Sequence, residues 1–168
     1  MSYRIKLREQ SSHDQKSPTV KVLLIAFFGA SLAGASLGLL AESSQQALIT
    51  GSFGASIFLV MAVPDLPFAQ PRNVLAGHFL ASAIGLACFH FIGESFFIMG
   101  LALGLTTVAM LFFKVAHPPA GSNPIAIFLA GPDWSFLVTP TLAGALVIVV
   151  LGIAYNNAWA DRTYPKYW

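Results

Sequence analysis

Charge is the first thing this chain lacks. Of its 168 residues only 10% are Asp, Glu, Lys or Arg, against about 25% in soluble domains. Between Val22 and Tyr155 there are six: Glu42, Asp65, Arg72, Glu94, Lys114 and Asp133. That poverty excludes a water-soluble fold, which could not cover so much apolar surface. A basic face is also missing. Arg4, Lys6, Arg8 and Lys16 precede the first apolar run, Lys21 stands at its start and the other basic residues sit at segment ends, so the net charge of +2 gives no footprint for nucleic acid. With one cysteine, Cys88, no disulfide forms within the chain, and inside an apolar run Cys88 reads as a small core hydrophobe. The four histidines, His13, His78, His90 and His117, show no metal-ligand spacing, and no Ser-His-Asp set or carboxylate pair is visible. Neither a catalytic site, a metal nor a cofactor is expected.

What is present is apolar sequence, 56% of the chain. Four runs, 20–41, 74–92, 96–115 and 136–157, have the length a membrane helix needs, about 20 residues. Two shorter runs, 50–63 and 119–131, open on Gly and Ser and end at Pro64-Asp65 and Pro132-Asp133. This predicts an all-α integral membrane protein: a polar cytoplasmic tail over 1–19, a single transmembrane domain over 20–157, and an aromatic and basic tail over 158–168. The first run is too long for a signal-peptide core.

The two short runs belong to a longer parallel. "GSFGASIFLVMAVPDLPFAQPRNVLAG" (51–77) aligns with "GSNPIAIFLAGPDWSFLVTPTLAG" (121–144) through Gly-Ser, Ile-Phe-Leu, Pro-Asp and a proline followed by Leu-Ala-Gly. An internal duplication follows, with halves at about 20–92 and 96–157, each a long helix, a short broken segment and a long helix. If all six segments cross and the N-terminus is cytoplasmic, every Lys and Arg falls inside, as the positive-inside rule requires. If the short segments are re-entrant, Arg72 and Lys114 fall outside. Crossing satisfies the rule, and three crossings per half make the repeats inverted, a plan many transporters share. About 13 helical residues reach only about 20 Å of a roughly 30 Å hydrocarbon core. The remaining backbone must be broken, which is tolerated only inside protein or beside water.

The second break is "VAHPPAGSNP" (115–124). Pro118 and Pro119 end the preceding helix near Lys114, Gly121 lets the chain turn, Ser122 is placed to cap the next helix, and Pro124 suits its first turn. In the first copy Gly51 follows Thr50 and precedes Ser52, either of which can cap. Two helix starts converging near mid-membrane would offer free N–H groups to a small anion. The same residues also read as ordinary helix-entry chemistry, and the sequence leaves both open.

"AHPPAGSNP", with "FGASIFLVMAVPDLPFAQPRNVLAGHFLASAIG" (53–85) upstream, resembles the HPP family of integral membrane proteins across residues 20–157. Plant and cyanobacterial members are associated with nitrite transport, so the resemblance implies a small transporter, with nitrite as the substrate to expect. The matching positions are His117, Pro118, Pro119, Ala120 and Gly121, and upstream Gly54, Ala55, Ser56, Pro64, Gln70, Pro71, Arg72, Asn73, Gly77 and His78. Ser122-Asn123-Pro124 departs from the small residues expected after the motif, and the family's four helices match the long runs but omit the short ones.

His78, inside a membrane helix, reads either as a functional group or as a neutral hydrogen-bonding histidine. His117 reads as a proton gate or as a cap on carbonyls near Lys114, His90 as interfacial, and Arg72 as a lure for anions or an anchor paired with Asp65. Phe27-Phe28, Phe96-Phe97 and Phe112-Phe113 suit lipid or packing, and Trp134, Tyr155, Trp159, Tyr164, Tyr167 and Trp168 an interfacial belt. Gly29, Ala30, Ala33, Gly34 and Gly38 form a small-residue face, for packing within the chain or between copies. The expected activity is passage of a small monovalent anion, nitrite by resemblance, with a channel for a neutral solute (urea, ammonia, nitrous acid) or a non-transporting scaffold as alternatives. A homo-oligomer in a bacterial inner membrane is expected, with both termini cytoplasmic.

Overall fold

Six α-helices carry the fold: α1 (Val20–Ser44), α2 (Gly51–Ala62), α3 (Pro71–Phe91), α4 (Phe96–Phe112), α5 (Asn123–Ala130) and α6 (Ala143–Asn157). The structure, a computed structural model, describes residues 17–44 and 51–168, and every regular element among them is helical. Val20–Leu39, Pro71–Phe91 and Trp134–Asn157 are long and apolar enough to cross a bilayer. The last of these is interrupted at Thr139, whose φ −131° and ψ 118° are extended, as the residue before a proline is driven to be.

The sequence predicts four long spans and the structure has three. The run 96–115 falls short: α4 has 17 residues, about 25 Å at 1.5 Å per residue, against about 30 Å of hydrocarbon. Its stop is built by Lys114, which adopts a left-handed φ of 55°. There the Lys114 N–H donates to the Leu111 carbonyl at 3.1 Å and the Val115 N–H to that of Met110 at 2.9 Å. These are the paired bonds of a Schellman motif, with buried Met110 and Val115 as its apolar contact. Glycine is the usual occupant, because a Cβ in this conformation costs about 1–2 kcal/mol. Lys114→Gly should therefore raise the thermal midpoint of the detergent-solubilised protein by a few degrees, at about 2–4 °C per kcal/mol. An unchanged or lowered midpoint would show that the lysine side chain matters more than its backbone strain.

Contacts at the helix ends trace the chain's path. At one end Lys21 pairs with Asp161 (2.8 Å) and Lys166 with Asp65 (3.1 Å), while Arg162 donates to the carbonyl of Met61 and the side chain of Asn156, both at 2.9 Å. Arg72 reaches the Phe113 carbonyl at the same end (3.4 Å). At the opposite end His90 bonds the Pro132 carbonyl (3.0 Å) and stacks on Trp134. Thus α1 and α3 start from the basic end and α4 and α6 return to it, whereas α2 and α5 are short, finishing at the basic and the opposite end respectively.

The core lies where α1, α2 and α6 meet. In α1, Ile25, Gly29, Ala33 and Leu37 are buried at a four-residue spacing, while Leu23, Leu24, Phe27 and Phe28 point outward. Ala33 and Leu37 join Phe53, Val60, Met61, Ile148 and Val149, with Phe53 against Gly144 and Val60 against Gly152. Of the small-residue face, Gly29 abuts Tyr155, whereas open space flanks Gly34 and Gly38. The C-terminal residues fold back onto this core. Tyr164 is 1% exposed, its hydroxyl donates to the Ala69 carbonyl at 2.7 Å, and burial pushes its phenol well above the ordinary tyrosine range. The side chain of Gln70 accepts from the Lys166 N–H (2.8 Å) and donates to the Pro64 carbonyl (2.8 Å).

Candidate functional site

The prolines that follow the end of α4 place the site. His117 is non-helical (φ −138°, ψ 88°), and Pro118–Ser122 form a 3-10 turn that runs directly into α5. This backbone throws the His117 imidazole into the bundle, and α3 turns His78 to the same point; both are 0% exposed with ring centroids 5.0 Å apart. From α2, Ser56 sits between them. Its Oγ lies 2.9 Å from His78 Nε2 and 2.8 Å from His117 Nε2, and 2.8 Å from the Ser52 carbonyl one helical turn back.

Partners on the outer side of each ring fix the protons. His117 Nδ1 is 2.6 Å from the Phe68 carbonyl, which can only accept, so this nitrogen carries hydrogen. His78 Nδ1 is 3.1 Å from the amide nitrogen of Asn123, which only donates, so His78 Nδ1 accepts and a neutral His78 has its proton on Nε2. Asn123 also donates to Ser82 Oγ (2.9 Å), which meets Thr141 Oγ1 (2.9 Å). The cluster therefore runs unbroken from Phe68 to Thr141, with every contributing side chain buried. Beside His117 a pocket of about 370 Å³ opens between α4 and the proline turn, bounded by Phe68, Thr106, Met110, Pro118 and Gly121. Thr106 is 1% exposed and its hydroxyl has no partner.

The structure gathers part of the predicted set. Ser52, Ser56, His78, His117 and Asn123 are buried together, and the Asn73 amide holds the Ala116 carbonyl (2.9 Å), steadying the chain just before His117. Pro118 and Gly121 border the pocket, and Pro119 accepts the Ser122 hydroxyl at 2.9 Å. Ser122 is not the predicted cap. It is already helical (φ −83°, ψ −8°), because the 3-10 turn is continuous with α5 and its hydroxyl turns back. Gly51 and Gly54 lie on the exposed side of α2, and Thr50 is outside the described residues. Arg72 is exposed and does not pair with Asp65, which Lys166 takes. His117 caps no α4 carbonyl, since the turn at Lys114 supplies that function with backbone.

Four contributors escape a sequence reading. Ser82 is one turn from His78 on α3, and that i,i+4 spacing was the available signal. Thr141 and Thr106 look like any threonine of an apolar run, and Phe68 contributes only its carbonyl, which no side-chain pattern announces. Among the described residues no group of three His, Cys, Asp or Glu side chains gathers to hold a metal.

The sequence profile described as "HPP, transmembrane region" matches residues 15–165. The chain belongs to the HPP family. Two transmembrane proteins of Dictyostelium discoideum are similar to it, one 33% identical over 136 residues (76% of this chain, 48% of the relative) and one 31% identical over 128 residues (71% and 41%). The HPP chain thus spans about half the length of either relative. No solved structure matches it. Within the HPP family setting, the name motif His117-Pro118-Pro119 is the element that carries one imidazole into the cluster and borders the pocket.

Proposed function

We propose that this HPP protein carries a small monovalent anion, nitrite being the expected one, across the membrane, and that the anion sits against His117 close to where α2 and α5 begin. The observation that carries this reading is the buried bridge of Ser56 between two imidazoles at 2.9 and 2.8 Å. Polar side chains at this depth are expensive in a membrane protein and are kept for pathways, relays and ligand sites. Hydrophobic residues would fill the same volume more cheaply if the fold alone were at stake. The adjoining pocket and its unpartnered Thr106 hydroxyl give a solute room and a donor.

The proposal includes an inverted three-plus-three repeat, α1–α3 against α4–α6. Equivalent pairs support it: α2 packs on α6 as α5 packs on α3, and α1 packs on α6 as α4 packs on α3. It also includes a carrier rather than an enzyme, a homo-oligomer, and a bacterial inner membrane with the basic end in the cytoplasm. The grouping of Lys21, Arg72, Arg162 and Lys166 at one end supports that orientation.

One observation favours passage of a neutral solute instead. α2, α4 and α5 contain no charged residue, so no fixed charge draws an anion inward. Uptake into proteoliposomes separates the two readings. Saturable nitrite entry above that of protein-free vesicles, exceeding nitrate and chloride entry, is expected. Urea entry without nitrite entry would leave only a neutral pore.

A further inference from the structure

Ser56 has one hydroxyl hydrogen and two lone pairs, yet three partners surround its Oγ: the Ser52 carbonyl at 2.8 Å, His78 Nε2 at 2.9 Å and His117 Nε2 at 2.8 Å. With both imidazoles neutral the cluster is one hydrogen short. His78 donates from Nε2, His117 must accept at Nε2, and the single hydrogen of Ser56 goes to His117, so the Ser52 carbonyl faces a lone pair. One added proton removes the conflict. Placed on His117 Nε2, it makes both imidazoles donate to Oγ and frees the Ser56 hydrogen for the Ser52 carbonyl, while His117 Nδ1–H keeps the Phe68 carbonyl at 2.6 Å. Every close contact is then a hydrogen bond.

A cation at this depth needs a counter-charge, and the packed elements supply none. Asp65, in the loop leading to Phe68, is exposed and paired with Lys166, and Tyr155 of α6 bonds the Ile25 carbonyl. α2, α4 and α5 hold no ionisable side chain, and α3 holds only Arg72, Cys88 and His90 besides His78. Arg72 is exposed and turned to the Phe113 carbonyl, and His90 bonds Pro132 at the far end. The missing negative charge is what an anion in the pocket beside His117 would bring.

We propose that the His78–Ser56–His117 bridge takes up one proton with each anion, so that the protein moves the two together as an electroneutral pair. The step balances simply. A proton from water adds to His117 Nε2 as the anion enters, and the Ser56 hydroxyl swings from His117 to the Ser52 carbonyl. On release to the other side the anion departs, the proton leaves the same nitrogen to water, and the hydroxyl swings back. Because each ligand improves the site for the other, their binding is reciprocal. This inference rests on the anion reading and adds its driving force.

The test uses the full chain in vesicles with a trapped pH dye and the membrane potential set by a potassium gradient and ionophore, with protein-free vesicles subtracted. Nitrite entry should acidify the lumen by one proton per anion and should not respond to the imposed potential. Entry that scales with an inside-positive potential and leaves the dye unchanged would overturn the coupling while keeping the anion carrier. The absence of any protein-dependent nitrite entry would overturn both. His117→Gln keeps a hydrogen-bonding side chain but cannot hold the proton. It should lower uptake at least tenfold, and whatever uptake remains should be potential-driven. A Gln variant still carrying one proton per nitrite would also overturn the proposal.

Discussion

Replacing His117 with alanine will raise the nitrite concentration for half-maximal uptake by roughly 10- to 150-fold, while His90→Ala leaves it near that of the unaltered protein. The difference follows from what each ring touches. His117 is wholly buried, bonds Ser56 and the Phe68 carbonyl, and borders the pocket; His90 is exposed and bonds one loop carbonyl. Both ring nitrogens of His117 are taken by Ser56 and the Phe68 carbonyl, so the ring acts on the anion through the charge it would carry and the Ser56 contact it holds. Coupling of that kind is about 1–3 kcal/mol, and each 1.4 kcal/mol is about tenfold in affinity. His78→Ala will give a loss of similar size, and the double substitution will fall short of the sum because both rings act through the same Ser56 oxygen. Initial rates of uptake across a nitrite series, on variants first checked for an intact thermal transition, measure this. Unchanged affinity in His117→Ala would remove the cluster from the pathway.

How far the sequence revealed this depends on the kind of signal. The helical class, the weight of apolar sequence and the break at His117 were visible, because they rest on composition and on proline's missing N–H. His78 and Ser56 were visible as positions matching the family motif, and Asn123 as a polar residue in an apolar run. Their convergence depends on α2, α3 and the proline turn meeting, which no local pattern encodes. The predicted cap at Ser122 failed because a 3-10 turn continuous with α5 left it no cap to make. The length of α4 failed because apolar composition runs past Phe112, whereas the backbone stops at a left-handed lysine, a conformation that sequence rules assign to glycine. Arg72 and Asp65 looked like natural partners by their proximity in sequence, yet Asp65 is taken by Lys166 from the far end of the chain.

The largest effect from a minimal change is expected at Gly77. A Cβ there would lie 2.6 Å from His117 Cβ and 3.4 Å from the Val115 carbonyl. The neighbour is not the yielding tip of a side chain but the root of one, so relief requires moving the backbone of the proline turn. Two terms compete in Gly77→Ala. Alanine improves the helix by about 1 kcal/mol, and overpacking a fitted contact costs about 1–3 kcal/mol, so the thermal midpoint should fall by several degrees at most. The functional loss should be larger than the loss of stability. The displaced turn carries His117 away from Ser56, and a 2.8 Å contact has little room to lengthen before it ceases to be a hydrogen bond. Nitrite uptake should drop at least tenfold. Gly104→Ala is the matched control: nothing lies within 4 Å of its added methyl, so the helix gain stands alone and uptake stays intact. If Gly77→Ala behaved like Gly104→Ala, the turn would be loose enough to absorb a methyl group. A loose turn could not hold the imidazole in register with Ser56, and the geometry on which the transport reading depends would fail with it.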